Sequence, residues 1–207
     1  MASRLFTLLR SLLAAALLVA GPALAADGPG TQAVRRANEG IKALLEQKPA
    51  PGSAEEKRLA SQISAQLEGF LNVGELGQRA LGDHYGKLSP AQRKEFLALL
   101  GELVQANYVK ALRSNLTYQV RYLDEVEKDG GRLVTTELEL QRNGRPEVMS
   151  VDYRLRKEGE QWRAFDLVTD GVGLVENYRA QFNQIIAKEG VGGLLERMRK
   201  KKAQNGA

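Results

Sequence analysis

The sequence predicts an α+β domain in which helices cover a four-stranded antiparallel sheet with meander topology. Apolar residues recur at intervals of three and four between residues 31 and 112. They alternate with polar residues over 118–168, where turn residues separate successive runs, and they return to helical spacing from residue 174. The predicted order is therefore helices, sheet, helices.

The N-terminus has the features of a cleavable secretory signal. Two arginines accompany an apolar run at 12–20, which is too short to cross a hydrocarbon core of about 30 Å. Ala23 and Ala25 have the spacing of a signal peptidase site. We expect residues 1–25 to be removed and residues 26–207 to form a single domain.

Composition excludes several classes of protein. The chain has no cysteine, so lipid attachment, disulfides and thiol catalysis are ruled out. The formal net charge of +5 falls to +3 when the two signal arginines are removed. That excess is small, and we expect no nucleic-acid partner.

Start and stop signals divide the first half of the chain into four helices. Helical spacing predicts the first over 31–47, and a Pro/Gly linker ends it. Each later helix begins at a residue that can cap the backbone, with Glu or Gln three residues further on. These pairs are Ser53 with Glu56, Asn72 with Glu75, and Ser89 with Gln92. Pro90 begins the longest helix, which is predicted to end near Asn115.

Four alternating runs predict the strands, and Asn143-Gly144 is a strong hairpin signal between the second and the third. After the fourth strand, helical spacing covers 174–198 with an interruption at Gly190. The four strand runs are 118–122, 134–140, 149–155 and 162–168.

Two blocks of sequence carry a resemblance to a known family. One is GEQWRAFDLVTDGV at 159–172, followed by NYRAQF at 177–182. The other is ALGDHYGKLSPAQRKEF at 80–96, with Tyr108 further along the same helix. Together they resemble the signature of the MlaC (toluene-tolerance) phospholipid-binding family. With the signal peptide and the basic C-terminal helix, the resemblance extends over essentially the whole mature chain.

The resemblance implies a periplasmic lipid carrier without a cofactor or chemistry of its own. Its expected partners are phospholipid, the MCE-domain subunit of an inner-membrane ABC transporter and an outer-membrane lipoprotein complex. It also implies an apolar lipid cavity between sheet and helices, although periodicity alone would assign the same residues to ordinary core. We expect the lipid-binding residues to be Phe96, Leu100, Tyr108, Val134, Leu138, Val151, Tyr153, Phe165, Val172, Tyr178, Arg179 and Phe182.

Two departures from the family pattern, and two groups of cations, leave alternatives open. The family usually has serine where this chain has Gly173, and a tryptophan near the position of His84 or Tyr85. Arg179 could reach a lipid phosphate or pair with an acidic residue. The basic run at 197–202 could be a solvated helix end or could contact an acidic membrane or a transporter subunit.

The rival hypotheses are an enzyme with a cone-shaped pocket, of the isomerase or dehydratase kind, and a carrier of hopanoid or another apolar molecule. A periplasmic adaptor without a cavity is a third. In the enzyme, Asp166 would act with Tyr153 or Tyr178. Because Asp166 lies in a hydrophobic strand, its carboxylate should be paired or have a raised pKa. His84 is the only histidine, so a catalytic triad has little support.

Overall fold

The computed structural model describes residues 27–50, 52–114, 118–142 and 144–205. The predicted signal peptide, residues 1–25, lies outside them, so its cleavage stays a prediction. The helices are α1 (Pro29–Leu45), α2 (Ala54–Phe70), α3 (Val73–Leu81), α4 (Pro90–Ser114) and α5 (Leu174–Asn205), with a 3-10 helix at Gly82–Lys87. No helix in the described ranges is both long enough and apolar enough to span a membrane.

The three predicted caps are confirmed. Ser53 Oγ accepts a hydrogen bond from the backbone N–H of Glu56 at 3.1 Å, and Asn72 Oδ1 accepts one from Glu75 at 2.9 Å. At the start of α4 the bonding is reciprocal: Ser89 Oγ accepts from the N–H of Gln92 at 3.2 Å, and Gln92 Oε1 accepts from the N–H of Ser89 at 3.0 Å. These local bonds fix the ends of three helices before any long-range contact is needed.

Helix α1 takes its cap from the sheet. Its own N-cap residue makes no side-chain bond. Instead, the carboxylate of Glu125 accepts from the backbone N–H groups of Gly30 at 3.0 Å and Thr31 at 2.7 Å. A negative charge there also complements the positive end of the helix dipole. The first helix is therefore tied to the first strand.

The sheet is an antiparallel meander in which every strand pairs with its neighbours in sequence. Its strands are β1 (Tyr118–Lys128), β2 (Gly131–Arg142), β3 (Arg145–Glu158), β4 (Gln161–Thr169) and β5 (Val172–Gly173). The four predicted strands are confirmed, but the strand count is wrong because β5 was missed. Asp170 and Gly171 form the β4–β5 turn, with φ of 47° and 82°.

Register places the alternating apolar residues in rows on one face of the sheet. Leu138 pairs with Val120 and Met149, while Tyr153 pairs with Val134 and Leu167. At one end of this face, α3 and α4 supply the packed core. Its fully buried side chains include Leu76, Leu81, Phe96, Leu100, Val134 and Leu155.

Helix α5 has two segments that meet at Gly190, where φ is 69°. The prediction of an interruption there is confirmed, and glycine tolerates this backbone conformation because it has no Cβ. The first segment follows the sheet directly, and its beginning is bonded to β4 through Asp166. The second segment lies beside α4, where Arg199 Nε contacts Glu95 at 2.6 Å.

Candidate functional site

A cavity of about 470 Å³ lies between the apolar face of the sheet and helices α1, α4 and α5. Its volume falls within the range of roughly 300–1,000 Å³ that small-molecule pockets occupy. The wall consists of Asn38, Val104, Asn107, Tyr108, Tyr118, Leu138, Leu140, Met149, Val151, Tyr153, Leu167, Thr169, Val172, Gly173, Leu174, Asn177 and Tyr178.

The structure brings half of the predicted lipid-binding residues together. The six that line the cavity are Tyr108, Leu138, Val151, Tyr153, Val172 and Tyr178. They come from α4, four strands and α5, so only the tertiary fold makes them neighbours. Whether they contact lipid stays a prediction.

Four of the other predicted residues belong to the packed core and do not line this cavity. Phe96, Leu100 and Val134 are each at most 1% exposed. The Phe182 ring stacks on Tyr178 at 5.3 Å and meets Phe96 edge-on at 5.6 Å, so it lies behind the wall. Neighbouring side chains cover these positions because α3, α4 and α5 meet the sheet there.

Phe165 and Arg179 also lie away from the cavity. The guanidinium of Arg79 lies over the Phe165 ring at 4.4 Å, with Arg156 at 5.6 Å, so this aromatic residue supports cations. Arg179 donates to the backbone carbonyl of Arg79 from Nε at 3.1 Å and from Nη2 at 2.6 Å. The bonds described for Arg179 go to a carbonyl, so the expected pairing with an acidic residue is wrong.

Asn38 is the most informative wall residue that the sequence analysis missed. It is only 6% exposed, although it is polar. Its position in α1, four residues after Val34 and three before Ile41, puts an amide on the apolar face of the helix. An amide within an apolar stripe was the available signal.

Hydrogen bonds hold the Asn38 amide in place. Its Nδ2 donates to the Tyr122 hydroxyl at 3.4 Å, and the Arg35 guanidinium lies over the ring of Tyr122 at 4.0 Å. The amide also hydrogen-bonds the hydroxyl of Tyr153, which lowers the pKa of that phenol against the larger effect of burial. Asn38 is thus fixed between two tyrosines.

Four tyrosine hydroxyls belong to the cavity wall, and their pKa values are all raised, chiefly by burial. The pKa of Tyr118 rises to about 12, and those of Tyr108 and Tyr153 also lie well above the ordinary value. A hydrogen bond with Asn107 partly offsets the rise in the pKa of Tyr178. These phenols are therefore neutral hydrogen-bond donors at physiological pH.

The wall is uncharged: none of the described residues that form it is Lys, Arg, Asp or Glu. Asp166, the carboxylate of the enzyme hypothesis, is not part of it. Asp166 is 2% exposed; its Oδ2 pairs with Arg154 Nη1 at 3.0 Å and its Oδ1 accepts from the N–H of Val175 at 2.9 Å. The predicted pairing of Asp166 is confirmed. The carboxylate holds the beginning of α5 against β4, which is a structural role.

Within the parts of the chain that the structure describes, no group of three or more His, Cys, Asp or Glu residues could hold a metal ion. His84 lies half-buried in the 3-10 helix and outside the cavity wall.

Much of the C-terminal basic run is paired within the protein. Besides Arg199 with Glu95, Lys202 Nζ contacts Glu102 at 2.7 Å. Both acids lie on α4, so these exposed ion pairs join the two helices. The hydrogen bond from Arg199 lowers the pKa of Glu95.

Comparisons with known proteins identify the fold and the family. A phospholipid-binding protein of Ralstonia solanacearum, solved in complex with a phospholipid, matches with a TM-score of 0.73 and 24% identity over 87% of this chain and 100% of that one. This match confirms the predicted α+β architecture.

A sequence relative supports the same assignment. The intermembrane phospholipid transport system binding protein MlaC of Haemophilus influenzae is 25% identical over 137 residues, which is 65% of this chain. The chain spans 64% of the length of that relative. The family model described as MlaC protein matches residues 35–200, which is most of the chain. The resemblance found in the sequence is confirmed: the chain belongs to the MlaC family.

Proposed function

We propose that the protein is a carrier that binds a phospholipid by its acyl chains in the cavity between the sheet and helices α1, α4 and α5. The observation that carries this proposal is the wall, which is mainly apolar and has no charged side chain. Burying a methylene group contributes about 0.8 kcal/mol. Such a wall therefore gains most of its binding energy from hydrocarbon.

The same wall keeps a charged headgroup outside. An ionised phosphate buried without a partner would carry a large desolvation penalty, and the cavity offers no cation to offset it. The exposed wall residues mark the rim, where Val172 is 63% exposed and Asn177 is also open to solvent. With the headgroup in solvent, discrimination among phospholipid headgroups should be weak.

We place this carrier in the periplasm after removal of residues 1–25. There it would exchange phospholipid between an outer-membrane lipoprotein complex and the MCE-domain subunit of an inner-membrane ABC transporter. Support comes from the printed role of the H. influenzae relative and from the phospholipid bound to the R. solanacearum protein. A carrier is preferred to an enzyme because both oxygens of Asp166 are engaged in structural bonds.

Native mass spectrometry of protein recovered from periplasmic extract tests the proposal. We expect a chain that begins at Ala26 and carries the mass of a diacyl phospholipid, which is lost on denaturation. A hopanoid-sized mass would favour the alternative cargo. Protein recovered with residues 1–25 intact, or consistently without bound lipid, would contradict the proposal.

A pair of exposed valines supplies a matched test of the site. Val172 and Val148 both lie in strands and are 63% and 58% exposed, but only Val172 lines the cavity. Val172→Asp places a carboxylate at the rim and should lower the fraction of protein carrying lipid. Val148→Asp should leave that fraction unchanged. Equal loading in the two variants would move the site away from this cavity.

A further inference from the structure

We propose that the buried end of the cavity is a hydrogen-bonding subsite for a neutral oxygen atom of the lipid cargo, formed by the Tyr118 hydroxyl and the Asn38 amide. This inference rests on the proposed carrier function and deepens it. A cavity that accepted only hydrocarbon would have no use for these polar groups. The subsite predicts that the cargo contributes a hydrogen-bonding oxygen within the cavity.

The first observation is the hydroxyl of Tyr118. The residue lines the cavity and is only 7% exposed. Its oxygen is shielded from solvent, yet it has no hydrogen-bond partner among the described residues. Buried side-chain polar atoms nearly always have a partner. Because Tyr118 belongs to the cavity wall, the missing partner is best supplied by the molecule that occupies the cavity.

The second observation is that other polar groups converge on the same region. Asn38 is 94% buried, lines the cavity and is fixed by its bond to the Tyr122 hydroxyl. The phenols of Tyr108 and Tyr153 are close enough to Tyr118 for their charges, if formed, to interact. The buried end thus contains several neutral groups that can donate or accept hydrogen bonds.

The chemistry of the wall selects the class of oxygen. A phosphate or carboxylate buried there would need a cation, and the wall has none. A neutral ester carbonyl or a hydroxyl fits, because the phenols stay protonated and can donate. In a phospholipid, the ester carbonyl at the head of an acyl chain and a hydroxyl on the chain itself are the two sources of this chemistry.

Three phospholipids with the same headgroup and chain length separate these sources. They are a plain diester, a diether analogue without ester carbonyls, and a diester with a hydroxylated acyl chain. Affinities for the delipidated full-length mature protein can be measured by competition against a fluorescent phospholipid. One neutral hydrogen bond changes affinity by about two- to tenfold.

Tyr118→Phe removes one hydroxyl oxygen and keeps the ring. If the ester carbonyl is bound, the wild type should prefer diester to diether by about three- to tenfold. If the chain hydroxyl is bound, it should prefer the hydroxylated diester to the plain one by a similar factor. Either preference should fall below about twofold in Tyr118→Phe. Tyr178→Phe removes a hydroxyl that already bonds Asn107, and should shift all three affinities by the same factor.

The outcomes separate this inference from the proposed function. If the wild type binds all three lipids equally, or if Tyr118→Phe retains the wild-type preference, the subsite is wrong and the carrier function stands. If none of the three lipids binds, both proposals fail. The wild-type comparison is decisive even if the variant does not fold.

Discussion

The two ends of the apolar sheet face have the same sequence pattern and different surroundings. At one end, Val134 and Leu155 are fully buried against helices. At the other, Leu138 and Met149 are only partly buried and line the cavity. Alternation determines which side chains leave water, but it does not determine whether another side chain or a ligand covers them. The difference arises from the positions of the helices.

The largest test of this comparison uses the same substitution at both ends. Leu100→Trp inserts an indole into the packed core and should lower the free energy of unfolding by about 1–3 kcal/mol, because a close-packed interior has no room for the added atoms. Leu138→Trp extends into the cavity. It should change the stability of delipidated protein by less than about 1 kcal/mol and should reduce bound lipid.

The two variants are controls for each other. Denaturant unfolding of delipidated protein gives the stability, and native mass spectrometry gives lipid per protein. Equal destabilisation at Leu100 and Leu138, with lipid unchanged in both, would contradict the distinction between core and cavity. Loss of lipid in Leu100→Trp without loss of stability would show that the cavity extends to α4 beyond its present wall.

Local signals explain what the sequence predicted well. The caps at Ser53, Asn72 and Ser89 involve residues three positions apart, so their chemistry is visible in the sequence. The strand β5 escaped because two residues cannot show an alternation. Its turn, Asp170-Gly171, was recognised, but its pairing with β4 depends on where the chain goes next.

The cavity could be predicted only in part, for a related reason. Leu100 and Leu138 are both leucines at regular apolar positions, and nothing within either segment distinguishes them. The family resemblance implied a cavity without locating it. Asn38 could have been singled out as an amide on an apolar helix face, but its bond to Tyr122 spans 84 positions in the sequence. Contacts of that range require the assembled fold.

The cavity end also differs from the core in its response to alkaline pH. The pKa of Tyr118 is raised from 10.0 to about 12 by burial. Between these values the unfolded chain releases the phenolic proton and the folded chain retains it. The unfolded state therefore binds fewer protons, and the stability contributed by Tyr118 falls as pH rises, by up to about 1.4 kcal/mol per pH unit. Below pH 10 this contribution is fully present.

Denaturant unfolding of the wild type and Tyr118→Phe between pH 9 and pH 12 measures this effect as a difference in slope, at about one-unit intervals. Lysines and other tyrosines titrate in the same range, and subtraction of the two curves removes their contribution. The wild type should lose stability more steeply than the variant. Parallel curves would show that the Tyr118 phenol is not buried in solution.

The smallest expected effect comes from adding one methyl group at each end of the sheet face. A Cβ at Gly77 would lie 2.6 Å from Leu97 Cδ2 and 3.1 Å from Leu100 Cδ2, so core side chains must move. A Cβ at Gly173 would meet Asp166 Oδ2 at 3.4 Å, which is ordinary contact. Gly77→Ala should cost about 1 kcal/mol, because overpacking outweighs the gain in helix propensity. Gly173→Ala should be neutral or stabilising by less than about 1 kcal/mol, since alanine restricts the unfolded chain. Thermal unfolding of delipidated protein measures both, and equal midpoints would mean that the core end adapts as readily as the cavity wall.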